Sequence, residues 1–171
     1  MSAIPPWIER KFNFDFLVSQ YPNIVSRYRG TPARLEEAVH GLSRDRLVAK
    51  PGGKWSIQEN AGHLMDEEAL FTTRLKEYLA GVKELTPAPY QHVALTHNDR
   101  HIEDILCRFR TDREAQVKQL EGLSFADFAR TAWHPRLKVA MRLIDHLLFV
   151  SEHDDHHLAR IWELRCGWFR L

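Results

Sequence analysis

Cysteine and long apolar runs are both scarce in this chain, and each scarcity excludes a class of protein. The two cysteines, Cys107 and Cys166, are far apart and form neither a C-x-x-C motif nor a disulfide framework, which predicts a reducing compartment. No apolar stretch approaches the roughly 20 residues of a membrane span, and no basic segment followed by an apolar run opens the chain. We therefore expect a cytoplasmic protein with no membrane partner.

An excess of charge of one sign is also missing. The chain has 24 Lys and Arg against 23 Asp and Glu, a formal net charge of +1, and the two signs are interspersed. Because nucleic acids and anionic lipids are bound by basic patches, this balance argues against a nucleic-acid partner. With 171 residues, 44% of them hydrophobic and 27% charged, the whole chain, residues 1–171, is expected to form a single domain.

Glycine and proline are absent between Leu137 and Arg165, and this absence predicts one long helix. Apolar residues recur there at helical spacing, which defines a buried face. Those residues are Leu143, Leu147, Val150, Leu158, Ile161 and Trp162.

Four of the ten histidines lie on this last helix, and three of them fall within residues 151–160. At about 100° per residue, His153 and His157 flank one edge of the apolar face, and His156 is expected to face water. Histidines four residues apart lie one above the other, which is the spacing at which helices present two nitrogens to one divalent metal. The alternative is a polar edge whose histidines contact carboxylates or water.

The N-terminal part predicts an irregular arm followed by two short helical pieces. Residues 1–21 are rich in aromatics without a clean period, so we expect an arm that lies over the rest of the fold. Pro22 can open a helix that stops at Gly30, and Thr31 with Pro32 then predicts an N-cap and a second start. Residues 43–54 are polar and predict a loop.

A second long helix is predicted from Ser56, because Ser56 and Glu59 form a capping box. Its apolar stripe contains Ile57, Leu64, Phe71, Leu75 and Tyr78, and Gly81 ends it.

Polar residues interrupt this stripe around His63. Asn60 and Glu67 occupy positions where apolar residues are expected, and Asp66 lies three residues after His63. A buried polar group without a partner costs about 1–3 kcal/mol, so these side chains need partners. Either they pair with other helices structurally, or they orient ligands around a metal.

A third long helix is predicted from Asn98 to Leu120, with a polar middle that we interpret as a solvated face. Ser124 predicts the cap of a short extra helix before the last one. No alternating run is long enough to predict a strand. Four long periodic segments most simply form an all-α four-helix bundle.

Three segments together carry a resemblance to a known family. They are the stretch from Trp55 to Glu59 followed by His63, the stretch from His134 to Leu137, and the stretch from Glu152 to Leu158. In the order and spacing of its histidines, the chain resembles the DinB-like superfamily of metal-binding four-helix bundles over about residues 22–165. The resemblance implies a three-histidine site, which matches His63, His153 and His157 here. It also implies zinc or nickel, and a homodimer.

The resemblance leaves the reaction open. Our first expectation is a metal-dependent S-transferase that uses a low-molecular-weight thiol as cosubstrate, which some members resemble, and the alternative is a metal-dependent hydrolase, as other members are described. Three neutral imidazoles leave a metal with an open position, at which a water or thiol becomes a nucleophile. For hydrolysis of a small-molecule substrate, Glu67 is our candidate general base. A non-catalytic module for dimerisation or sensing is the third alternative.

Two further predictions concern residues around the site. Asp154 or Asp145 would accept the second ring N–H of a ligand histidine, or would form ordinary ion pairs. His97 and His101, also four residues apart, are the alternative metal pair. The remaining histidines are predicted to have surface or capping roles: His40, His92, His134 and His146.

Overall fold

The computed structural model describes residues 4–89 and 96–167, and their fold confirms the predicted helical bundle. Helices α1 and α2 are consecutive and together form one side of the bundle. Helices α4, α5 and α7 form the other three sides. The helices are α1 (Tyr21–Arg29), α2 (Thr31–Val39), α3 (Arg44–Val48), α4 (Ile57–Ala80), α5 (Ile102–Glu121), α6 (Phe125–Phe128) and α7 (Leu143–Cys166).

Helix α4 begins and ends at the predicted residues. The Ser56 hydroxyl accepts the backbone N–H of Glu59 at 3.0 Å, and the Glu59 carboxylate accepts the backbone N–H of Ser56 at 2.8 Å. Gly81 ends the helix with φ 72°, a conformation that glycine adopts without strain. The capping box therefore fixes the start of the helix that carries His63.

The apolar interior consists of two clusters along the bundle. One packs residues of α1, α4 and the first half of α7, including Tyr28, Phe71 and Leu147. The other packs residues of α2, α4, α5 and the second half of α7, including Phe109 and Leu158. All five apolar residues of the predicted α4 stripe are buried.

Between the two clusters lies a buried ion-pair group that the sequence analysis did not predict. Arg113, in the part of α5 interpreted as a solvated face, is only 1% exposed. Its guanidinium donates to Glu68 at 2.6 Å and to Asp154 at 2.8 Å, and it stacks 3.7 Å from the centroid of the Tyr28 ring. The solvated-face interpretation is thus wrong at Arg113, because two carboxylates from α4 and α7 neutralise it.

A two-stranded antiparallel hairpin, β1 (Thr131–His134) and β2 (Val139–Arg142), precedes α7. The prediction of no strand is therefore wrong, and the last helix begins at Leu143 instead of Leu137. Strand β1 also exchanges backbone hydrogen bonds with the segment after α4, from Trp133 N–H to Lys83 at 2.8 Å and from Leu85 N–H to Trp133 at 3.0 Å. These pairings between distant segments override the local helical pattern.

Smaller differences concern element ends. Thr31 lies inside α2 and its hydroxyl donates to Asp154 at 2.9 Å, so it does not cap the helix. The predicted loop of residues 43–54 contains α3, and α5 begins at Ile102 after a 3₁₀ turn at Thr96–Asp99. The arm contains 3₁₀ turns at Trp7–Glu9 and Val18–Gln20. The predictions for residues 1–3 of the arm and for His92 fall outside the described residues.

No helix in the described ranges combines the length and the apolar character needed to cross a membrane.

Candidate metal centre

Three histidine side chains from two helices meet at one point between α4 and α7. The Nε2 atom of His153 lies 3.2 Å from Nε2 of His63 and 3.2 Å from Nε2 of His157. One ring nitrogen from each of the three lies within 4.8 Å of the others, and no other such group of three His, Cys, Asp or Glu occurs among the described residues. The structure thus brings together the three histidines that the sequence singled out.

This nitrogen spacing suits a divalent ion. Imidazole nitrogens bind zinc at about 2.0–2.1 Å, so two ligands of a tetrahedral ion lie about 3.3 Å apart. The two measured Nε2 separations are both 3.2 Å. Imidazole is also a donor that zinc, nickel, copper and iron all accept. The donor set therefore fits a metal site with three protein ligands.

A hydrogen bond from His157 to Asn60 orients one of the three rings. The side-chain oxygen of Asn60 lies 2.9 Å from Nδ1 of His157, and an amide oxygen can only accept, so the proton of a neutral His157 is on Nδ1. Its Nε2 lone pair then points at the other two histidines. The Asn60 side chain is fixed in turn by its amide group, which donates to the backbone carbonyl of Ser56, one turn earlier, at 2.7 Å.

Burial keeps the three rings neutral. It lowers the pKa of His63 to about 4 and lowers those of His153 and His157 well below the ordinary value. The pKa of each ring is lowered further because a protonated imidazole would be repelled by a second protonated histidine nearby. Neutral imidazole is the form that binds a metal, so all three ligands are ready at neutral pH.

Two tryptophans flank the cluster. The Trp55 ring stacks on His157 with centroids 5.9 Å apart and meets His63 edge-on at 5.1 Å. From the arm, Trp7 meets His153 at 5.1 Å and also contacts His156. His156 is therefore half-buried under the arm, and the prediction that it faces water is wrong, because the helical wheel cannot show a covering segment.

A cavity of about 240 Å³ adjoins the histidine cluster. Glu67 lines it one helical turn after His63, and burial raises the pKa of the Glu67 carboxyl. Apolar side chains form much of the remaining wall. The cavity is lined by Trp7, His63, Glu67, Leu70, Phe71, Arg74, Ala88, His134, Arg136, His146, Phe149, Val150 and His153.

The aspartates predicted to orient ligand histidines lie elsewhere. Asp66 pairs with His97, whose Nε2 lies 2.9 Å from the carboxylate. Asp154 pairs with Arg113 and Thr31, and Asp145 accepts the backbone N–H of Arg142 at the start of α7. For Asp154 and Asp145, the structure thus shows the alternative of ordinary structural pairing.

His97 and His101 belong to no group of three or more potential metal ligands among the described residues. His97 is buried against α4, and its ring lies where a side chain on Gly62 would be: a Cβ built there would come within 2.2 Å of the ring. His101 is exposed. The absence of a side chain at Gly62 is what lets the turn at Thr96–Asp99 pack beside His63.

The sequence did not predict the residues at the end of the cavity away from the histidine cluster. Arg74, His134 and His146 are each at most 4% exposed and lie together there, although His134 and His146 were predicted to have surface or capping roles. The available signal was that His146 lies one heptad before His153 on the same helix. His134 gave no such signal, because its position depends on the hairpin.

A sequence model of the DinB superfamily matches residues 27–161. YfiT of Bacillus subtilis (strain 168), to which a metal-dependent hydrolase activity is ascribed, is 29% identical over 150 residues, covering 80% of this chain and 80% of YfiT.

A solved structure of YfiT is also similar in fold, and it is described as having an unusual four-helix bundle topology. The TM-score is 0.80 at 23% identity, over 94% of this chain and 95% of the other. At that identity the likeness concerns the fold alone.

Proposed function

The chain belongs to the DinB superfamily, and from that premise we propose that it is a metal-dependent hydrolase acting on a small molecule. The observation that carries the proposal is the cluster of three neutral imidazoles beside a cavity that contains a carboxyl group. The similarity to YfiT supports the same reaction class.

His63, His153 and His157 would hold the ion, with zinc or nickel as the candidates. When bound, such an ion supplies Lewis acidity, which makes a coordinated water or thiol nucleophilic at neutral pH. Asn60 orients His157, and Trp55 and Trp7 limit the access of bulk water to the cluster.

Glu67 is the residue of this chain that would move a proton. It lines the cavity next to His63, and its raised pKa brings it toward the operating pH of a general acid or base. As a carboxylate it would accept a proton from the nucleophile, and as a carboxylic acid it would return one to the leaving group.

Transfer of a low-molecular-weight thiol to an electrophile is the second candidate. The apolar cavity wall formed by Leu70, Phe71 and Phe149 favours it, because such a wall suits a small apolar electrophile. The cysteines at 107 and 166 are exposed and do not line the cavity, so the thiol would come from a cosubstrate. The two candidates differ in whether turnover requires a thiol.

The first test is the metal content of the purified protein, measured by elemental analysis. We expect close to one equivalent of a divalent metal in the wild type and a loss of most of it in His153→Ala. His40→Ala, which replaces an exposed histidine in the connection after α2, is the matched control and should keep its metal. Equal and near-zero contents in the wild type and His153→Ala would contradict the proposal.

The second test is hydrolysis of an ester and amide panel by the metal-loaded protein, with and without added thiols. Turnover without thiol that is lost in Glu67→Gln supports a hydrolase, and turnover only with thiol supports the transferase. Metal without any turnover would favour the non-catalytic module. We also propose a homodimer in the cytoplasm, as the family resemblance implies, and sedimentation analysis tests the dimer.

A further inference from the structure

Arg74 is a buried cation at the end of the cavity away from the histidine cluster. Its side chain is 4% exposed, and within the described ranges no carboxylate lies at ion-pair distance from it. Its Nε donates to the Thr86 carbonyl at 2.9 Å. Burial lowers the pKa of this arginine, and the more distant charges of Glu67 and Glu77 offset the effect only in part.

A second donor lies beside Arg74. The Nδ1 atom of His134 accepts the backbone N–H of Leu137 at 3.2 Å, so in the neutral ring the proton is on Nε2. That Nε2 lies 3.4 Å from Nη1 of Arg74. Neither N–H group can accept from the other, but one oxygen acceptor between them would satisfy both. Two donor nitrogens 3.4 Å apart, one of them charged, can both donate to one oxygen, which is a usual feature of an oxyanion site.

The surroundings make this end of the cavity electropositive. Arg136 also lines the cavity, with its guanidinium carbon 5.2 Å from the centroid of the Phe149 ring. Glu67 is the acidic residue among the cavity-lining residues, so the two arginines outnumber it there. Beside Thr86 and His134, Arg74 also contacts His146, whose Nε2 lies 3.5 Å from Nη1 of Arg74. The buried Nδ1 of His146 has no hydrogen-bond partner among the described residues.

We propose that Arg74 and His134 bind an oxyanion group of the small molecule that reacts at the three-histidine cluster. This inference rests on the proposed function, because it names the class of substrate of the same cavity. The oxyanion is a carboxylate or a phosphate, since both present oxygen acceptors to a guanidinium fork.

The two ends of the cavity limit the size of this substrate. His146 contacts Arg74 and precedes the ligand His153 by seven residues on α7, which is about 10 Å along a helix. The cavity wall between them includes Phe71 and Phe149. The site therefore fits a short molecule with an apolar middle, an oxyanion at one end and its reacting bond at the other.

The test is calorimetric binding of phenylacetate, of its neutral isostere phenylacetamide, and of inorganic phosphate. Each is titrated into the full-length protein as purified and after removal of metal with a chelator. We expect phenylacetate or phosphate to bind at least ~10-fold more tightly than phenylacetamide, because the charged hydrogen bonds are lost with the amide. The tighter of the two anions identifies the substrate group.

Variants separate this subsite from the metal centre. Arg74→Gln and, as a second variant that keeps an aromatic ring, His134→Phe should each weaken anion binding at least ~10-fold. Arg108→Gln removes the same charge from an exposed position of α5 and should change nothing. His157→Ala should lose metal yet bind the anion within ~2-fold of the wild type in metal-free protein.

Equal binding of phenylacetate and phenylacetamide would overturn the inference, and so would unchanged anion binding in both folded variants. A wild type that contains no metal as purified, takes up none when a divalent metal is added and still binds the anion would instead contradict the proposed function and leave the oxyanion site standing.

Discussion

Two arginines are buried in the described part of this bundle, and they have opposite surroundings. Arg113 is held by the carboxylates of Glu68 and Asp154 between the two apolar clusters. Arg74, also at most 4% exposed, is neighboured by two histidines and a carbonyl at the end of a cavity. Since burial of a charge is costly unless it is paired, the paired arginine is part of the framework. The arginine without a carboxylate partner in the described ranges marks a place where a ligand supplies the charge.

The largest predicted effect concerns the paired arginine. Arg113→Met leaves two carboxylates buried without their cation, which should lower the free energy of unfolding by about 3–5 kcal/mol. Arg74→Met removes a cation that leaves no buried carboxylate behind, and should cost less than about 1.5 kcal/mol, mainly for the hydrogen bond to Thr86. Urea unfolding of both variants measures the difference.

Arg108→Met is the control for the loss of a guanidinium, because Arg108 is exposed and pairs only within its own helix; its effect should stay within about 0.5 kcal/mol. If Arg74→Met destabilises the protein as much as Arg113→Met, the distinction between a structural and a ligand-binding arginine fails.

The second prediction is acid sensitivity at the Arg74 end of the cavity. Burial, with Arg74 and Arg136 nearby, lowers the pKa of His134 from 6.5 to about 4. Between these values the unfolded chain binds more protons than the folded one, so stability falls as the pH falls through this window. The loss attributable to His134 is about 2 kcal/mol between pH 7 and pH 5, because the full slope of about 1.4 kcal/mol per pH unit applies only below the unfolded pKa.

His134→Phe should remove that part of the pH dependence. The measurement is urea unfolding of chelator-treated wild type and variant at pH 7 and pH 5, so that metal binding does not contribute. The wild type should lose more stability than the variant over this interval. Equal losses would mean that His134 is not held neutral by its surroundings.

The sequence predicts the parts of the structure that depend on neighbouring residues, as the long helices show. Helix α4 and the candidate ligands His63, His153 and His157 follow from local signals: a capping box, an apolar stripe and an i, i+4 pair, with the family resemblance adding His63. Each signal depends on residues close in the chain. The all-α fold follows because four such stripes must pack against one another.

The parts that the sequence did not predict depend on contacts between distant segments. Arg113 is buried because Glu68 and Asp154 reach it from two other helices. The hairpin forms because Trp133 pairs with the segment after α4. Neither of these long-range pairings leaves a periodic pattern in the sequence. The charged stretch around Arg113 therefore resembles a solvated face, and the second strand of the hairpin resembles part of the last helix.

The last prediction concerns metal affinity instead of stability, and it tests Asn60, a buried polar residue that accepts a hydrogen bond from the candidate ligand His157. Asn60→Ala removes the acceptor for Nδ1 of His157, so the ring is free to place its proton on Nε2 and turn away from the other histidines. Loss of such an orienting contact typically weakens metal binding 10- to 100-fold, or about 1.4–2.7 kcal/mol. Competition with a chromogenic chelator measures it.

Asn60→Asp sharpens this prediction, because aspartate also accepts from Nδ1. It should bind metal more tightly than Asn60→Ala even though it loses the amide donor to Ser56. Asn23→Ala, at an exposed position of α1, should leave metal affinity unchanged. If Asn60→Ala lowers stability but not metal affinity, Asn60 belongs with Arg113 in the framework, and His157 is oriented by packing against Trp55 instead.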